Sequence, residues 1–155
     1  MARLSKDFDT NNRVSANQIQ LSQDMFALSS GDKKSTPPHL SVWAEIFTTP
    51  KQAHGFLKIA QGKDRRRLIL RLGVDKIRAL VGNNSIRDYA ELLDVIWVYL
   101  EGEQSKFSGA DGHSGITGLE SKREGAFAQV ENKKYLLKSL RSQLADIASV
   151  TGVVE

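Results

Sequence analysis

The chain reads as an α+β protein: a small mixed sheet of about four strands with a long C-terminal amphipathic helix packed on it. Three observations predict this class. Short runs rich in β-branched and aromatic residues recur at four places. A specific helix start, Thr49-Pro50-Lys51-Gln52, interrupts them. From Asn132 the apolar residues change from alternation to the spacing of one helix face. With 155 residues, 40% of them hydrophobic and 26% charged, the chain has the size and balance of one globular core. The expected organisation is a partly flexible N-terminal segment over residues 1–38, a single domain over 39–150 and a tail over 151–155.

Residues 1–38 are polar and broken by Asp9-Thr10-Asn11-Asn12 and by the stretch from Ser29 to the diproline Pro37-Pro38. Neither period holds across residues 14–28, so short elements joined by turns are expected there, and the first dozen residues are expected to be mobile. After the diproline, His39-Leu40-Ser41-Val42-Trp43-Ala44-Glu45-Ile46-Phe47 is bounded by Thr48-Thr49-Pro50 and reads as a strand. In the helix that follows, Thr49 is the N-cap, Pro50 the first helical residue and Gln52 the reciprocal partner of a capping box. Ala53, Phe56, Leu57 and Ala60 then define one buried face, and Gly62 closes the element.

Leu68, Leu70 and Leu72 alternate with Ile69 and Arg71, which predicts a strand covered mainly on its leucine side. A short helix over residues 74–81 stops at Gly82-Asn83-Asn84, and Ser85-Ile86-Arg87-Asp88 starts a further turn. Asp94-Val95-Ile96-Trp97-Val98-Tyr99-Leu100 is the most apolar run and predicts a central strand. Residues 101–112 read as a polar loop, residues 113–119 as a strand and residues 120–131 as a surface loop. The closing helix carries Leu136, Leu137, Leu140, Leu144, Ile147 and Ala148 on one face.

Composition removes several function classes. The chain has no cysteine, which excludes disulfides and thiolate metal sites, and no apolar run reaches 18 residues. No membrane span and no signal-peptide core are present, and the cytoplasm is the expected compartment. His39, His54 and His113 are far apart and not helix-spaced, so neither a metal nor a cofactor is expected. A net charge of +4, from 22 basic and 18 acidic residues, is mild for a nucleic-acid binder. Arg65, Arg66 and Arg67 form the candidate anion-binding turn, but no aromatic residues interleave them for base stacking. Trp43 and Trp97, a conceivable stacking pair, are read as packing residues instead.

The richest stretch is Gly109-Ala110-Asp111-Gly112-His113-Ser114-Gly115-Ile116-Thr117-Gly118. Its glycines permit positive φ or close approach of another group, and imidazole titrates near neutrality. Asp111, Gly112, His113 and Thr117 are therefore the candidate ligand-binding residues; the alternative is a tight turn into a strand capped by His113. A sharper reading pairs His39-Leu40-Ser41-Val42 with His113-Ser114-Gly115-Ile116, the arrangement of two-histidine phosphoesterases, in which one imidazole is base and the other acid. Gly115 departs from that pattern, because a hydroxyl residue belongs there.

Short matches in Leu40-Ser41-Val42, Thr48-Thr49-Pro50, Leu93-Asp94-Val95 and Gly112-His113-Ser114-Gly115-Ile116-Thr117-Gly118 resemble a family of small bacterial proteins without assigned activity. The resemblance implies a bacterial protein sharing the His113 region and transfers no chemistry. With no complete catalytic constellation in the sequence, the first expectation is a non-enzymatic accessory protein working through a protein partner. His113 then lines a shallow depression with Thr117 beside it, and His39 lies elsewhere. A small phosphoesterase or nucleotide-handling enzyme using His113 with His39 is the alternative, and a weak nucleic-acid binder through the arginine turn a further one.

Overall fold

The computed structural model describes residues 2–4, 21–61, 66–82, 92–120 and 133–154. In chain order, β1 (Ala2–Leu4) is followed by a 3-10 turn at Gln23–Phe26, α1 (Ser30–Lys34) and β2 (His39–Trp43). Then come α2 (Pro50–Gln61), β3 (Arg67–Arg71), α3 (Val74–Arg78) and β4 (Asp94–Trp97). After 3-10 turns at Gly102–Lys106 and Ala110–Gly112, the chain forms β5 (His113–Thr117), α4 (Lys133–Ile147) and β6 (Ser149–Val154). The class is α+β, and the four strands expected from sequence all lie in one sheet. Among the described residues that sheet has six strands in the order β4-β5-β2-β1-β3-β6, and each of their pairings is antiparallel.

The two additional strands come from segments read as terminal appendages. Ala2–Leu4 pairs with both β2 and β3, so it bridges the two halves of the sheet. Residues 151–154, expected as a tail, belong to β6, the edge strand beside β3. Within the N-terminal segment, Phe26 is fully buried in the main core. The mobility expected of the first dozen residues, the second turn of helix after Ser85 and the loop over residues 121–131 lie outside the described residues.

Alternation along the strands divides the side chains between two layers. Leu40 and Val42 of β2, Leu68 and Leu70 of β3 and Ile116 of β5 point to one face. There they meet Leu136, Leu140 and Leu144 of α4 and Ile77 of α3. The i, i+4, i+8 leucines of α4 are all buried, as the helical period predicts. On the other face, Trp43 and Ile69 pack against Ala53, Phe56 and Leu57 of α2. The start of α2 is the capping box read from sequence. The Thr49 amide donates to Gln52 Oε1 at 2.9 Å and the Gln52 amide to Thr49 Oγ1 at 3.2 Å.

Two expectations about strands are corrected. The apolar run at 94–100 is an edge strand, not a central one, because β4 has only β5 beside it among the described residues. Its apolarity reflects contact with the leucine layer through Val95, while Trp97 and Tyr99 stay exposed. The strand begun at His39 ends at Trp43, where Ala44 turns away. The Ala44 amide donates to the Gly112 carbonyl at 2.7 Å, and a turn over residues 45–47 leads to α2.

Candidate functional site

Strands β2 and β5 lie side by side with His39 opposite Thr117, Ser41 opposite Gly115 and Trp43 opposite His113. Cross-strand partners share a face, so these six residues form one surface, on the side away from the leucine layer. His39 therefore does not lie elsewhere. Its ring centroid is 6.1 Å from that of His113, with the planes inclined at 73°. Residues 74 positions apart in sequence are brought together by strand register alone.

Gly115 explains the closeness. A Cβ at that position would fall 2.6 Å from Cγ and Cδ2 of His39, so the glycine is the seat on which the His39 ring lies. What looks in the sequence like a missing hydroxyl is the space that lets one imidazole lean toward the other. The hydroxyls available on this face are Ser41 and Thr117.

Each ring is held in the same way. His39 Nδ1 lies 2.8 Å from the Pro37 carbonyl oxygen, and His113 Nδ1 lies 2.8 Å from that of Val98. A carbonyl oxygen only accepts, so both Nδ1 atoms carry the proton and both Nε2 atoms carry the lone pair in the neutral rings. No described residue hydrogen-bonds either Nε2. The fold thus orients two basic nitrogens of the same kind on one surface.

Their surroundings differ. His113 is walled by Trp43, whose ring centroid is 4.8 Å away, and by Phe56 at 6.4 Å. Burial against these rings pushes the His113 imidazole below its ordinary range; the bond to Val98 opposes this, the neighbouring His39 adds to it and the Asp32 carboxylate opposes it. His39 instead sits between Ser41 and Thr117. Asp32 reaches this end of the site from α1, where its carboxylate completes a capping box with Ser29 and accepts from Ser41 Oγ at 3.5 Å. Asp32 was missed from sequence, although Ser29-Ser30-Gly31-Asp32 carries the spacing of a capping box.

The other candidates separate from this pair. Gly112 is buried and serves the fold: its carbonyl accepts from the Ala44 amide, and Thr48 occupies the space a side chain would need. Gly109 has φ +86°, and its carbonyl accepts from Thr48 Oγ1 at 2.5 Å. The glycine loop is thus tied to the start of α2. Asp111 is exposed and takes no part in the contacts that join the imidazoles.

The arginine turn does not hold together as a patch either. Arg67 is 1% exposed in β3, with its Nη1 3.1 Å from Nδ1 of the buried His54. Arg66 is exposed, and Arg65 lies outside the described residues. Among the described residues no group of three metal-ligating side chains is assembled, and no helix is long and apolar enough to cross a membrane.

Fold and site together define a class: a small α+β protein on a six-stranded antiparallel sheet, with paired imidazoles on the two adjacent strands β2 and β5. In comparisons with known proteins, no family model, no curated protein and no solved structure matches the chain.

Proposed function

We propose that the His39 and His113 pair is an acid–base site for a phosphate ester, with a phosphodiester as the reacting class. The observation that supports this reading is the 6.1 Å ring spacing of two imidazoles that both spend Nδ1 on a backbone carbonyl. Two hydrogen bonds of about 2.9 Å to oxygens of one tetrahedral group span a gap of that order. The accessory-protein reading rested on the lack of a catalytic constellation, and the juxtaposition of the two imidazoles supports the enzyme reading instead.

The aromatic wall around His113 supports the base role for that ring. His113, kept neutral by its aromatic wall, takes a proton from the attacking water through Nε2. The water oxygen then bonds to phosphorus as the bond to the leaving oxygen breaks. His39 takes the complementary role and delivers a proton from Nε2 to that leaving oxygen. The two rings exchange their protons with solvent before the next turnover.

Initial rates with bis(p-nitrophenyl) phosphate and with a 2′,3′-cyclic nucleotide test the proposal. Hydrolysis of at least one probe is expected, with a bell-shaped pH profile and a loss of about 100-fold or more in His39→Ala and in His113→Ala. Turnover of neither probe, or rates that survive both substitutions, would overturn it.

A further inference from the structure

Thr48 is a polar residue, 2% exposed, that the imidazole pair does not use. It stands just before the N-cap of α2 and is bonded to both chain segments that flank the rung of Trp43 opposite His113. On the β2 side its amide donates to the Ala44 carbonyl at 2.9 Å. On the β5 side its Oγ1 donates to the Gly109 carbonyl at 2.5 Å, across 61 residues of chain. A buried hydroxyl is costly without an acceptor, so this bond fixes where the Thr48 side chain lies.

The same oxygen fills the place of a missing side chain. A Cβ on Gly112 would overlap Thr48 Oγ1 and fall 2.9 Å from Thr48 Cβ and 3.1 Å from the Ala44 carbonyl oxygen, so only glycine lets the two strand ends close on each other. Gly112 accepts from the Ala44 amide at 2.7 Å and donates its own amide to the Gly109 carbonyl at 3.1 Å. The next residue is His113. Where the hydroxyl sits decides how near Gly112 comes to β2. Gly112 in turn decides how the His113 ring meets Trp43, 4.8 Å away between centroids, and the Val98 carbonyl, 2.8 Å from Nδ1.

We propose that Thr48 is a positioning residue for His113: its hydroxyl, held by Gly109 and seated against Gly112, sets the orientation of the imidazole. The effect on turnover rests on the acid–base reading of the pair; the effect on the ring does not. Thr48→Val separates hydroxyl from shape. It puts a methyl, which needs more room than an oxygen, where the hydroxyl meets Gly112, so Gly112 has to give way and His113 with it. The Gly109 carbonyl keeps the Gly112 amide as a donor, so no buried acceptor is stranded and the fold is expected to persist. Thr48→Ser keeps the hydroxyl and should keep the ring in place.

Imidazole ¹⁵N–¹H correlation spectra of the full chain test the proposal without any substrate. In Thr48→Val the His113 ring signals are expected to shift, and by more than those of His39, at unchanged circular dichroism; Thr48→Ser should return the parent spectrum. Ser108→Ala, which removes the bond from Gln52 at the outer end of the same loop, should leave the His113 signals in place. With bis(p-nitrophenyl) phosphate as the probe, Thr48→Val should lower kcat about 10- to 100-fold with little change in KM, and Thr48→Ser should recover it. If Thr48→Val does not fold, Thr48→Ala, which removes the hydroxyl without crowding Gly112, carries the same readout. His113 signals that stay put in the folded variant, or that move as far in Ser108→Ala, would overturn the assignment. A parent chain that turns over no phosphodiester would remove the acid–base reading alone, and the spectra would still decide the place of Thr48.

Discussion

A methyl group at residue 115 would fall 2.6 Å from Cγ and Cδ2 of His39, a distance that forces either the ring or the strand to move. Gly115→Ala is therefore expected to destabilise the protein by about 1 to 3 kcal/mol as an overpacked site, measured by urea unfolding. Stability unchanged with the His39 ring still in place would count against the seat assigned to Gly115. Gly115→Ser restores the hydroxyl of the two-histidine pattern but should suffer the same clash and lower, not raise, the proposed activity. The second prediction at this scale concerns coupling. His39 contributes to the depression of the His113 titration, so His39→Gln should raise the His113 midpoint, read from imidazole proton shifts. A midpoint that stays put would mean that the rings do not sense each other.

Elements differ in how openly the sequence declared them. The start of α2 was fully legible, because Thr49, Pro50 and Gln52 act through local bonds that spacing alone specifies. The leucine face of α4 was legible for the same reason. Leu140, fully buried, supports a third prediction: Leu140→Ala should cost about 2 to 5 kcal/mol in denaturant unfolding, and a loss below about half a kcal/mol would place the side chain at the surface. β1 escaped because three residues are too few to show a period. β6 escaped because Ala148 closes the helical pattern with no turn residue before Ser149. The place of β4 at the edge was hidden because apolar composition records what a strand packs on, not how many neighbours it has. The site was half legible: His39 and His113 were candidates from residue type, but their meeting depends on the register of β2 on β5, a long-range fact that neither segment carries alone.

Taken as a whole molecule, the fold places one neutral imidazole against aromatic rings and a half-exposed ion pair at the sheet edge, and both tie stability to pH in the same direction. His113 titrates below its ordinary value of 6.5, so the unfolded chain takes up a proton that the folded one resists. Its contribution is complete above the ordinary imidazole range and is lost as the pH falls below it. The Asp94 carboxyl is lowered from 3.8 by the hydrogen bond from Arg78, then by that from the Val95 amide, so its contribution is lost only in a second, more acid window. Stability should therefore decline on acidification from about pH 7 to pH 5, and His113→Gln should flatten that slope while leaving the acid window intact. A parent protein equally stable at both pH values would contradict the burial assigned to His113. The account rests most heavily on the two imidazoles sharing one orientation, and ¹⁵N–¹H correlation spectra of the labelled rings read that directly. The expected result is the Nδ1–H tautomer for both neutral rings, with Nε2 signals of both His39 and His113 moving when inorganic phosphate is added. An Nε2–H tautomer for either ring, or phosphate that leaves both Nε2 signals unmoved, would contradict it.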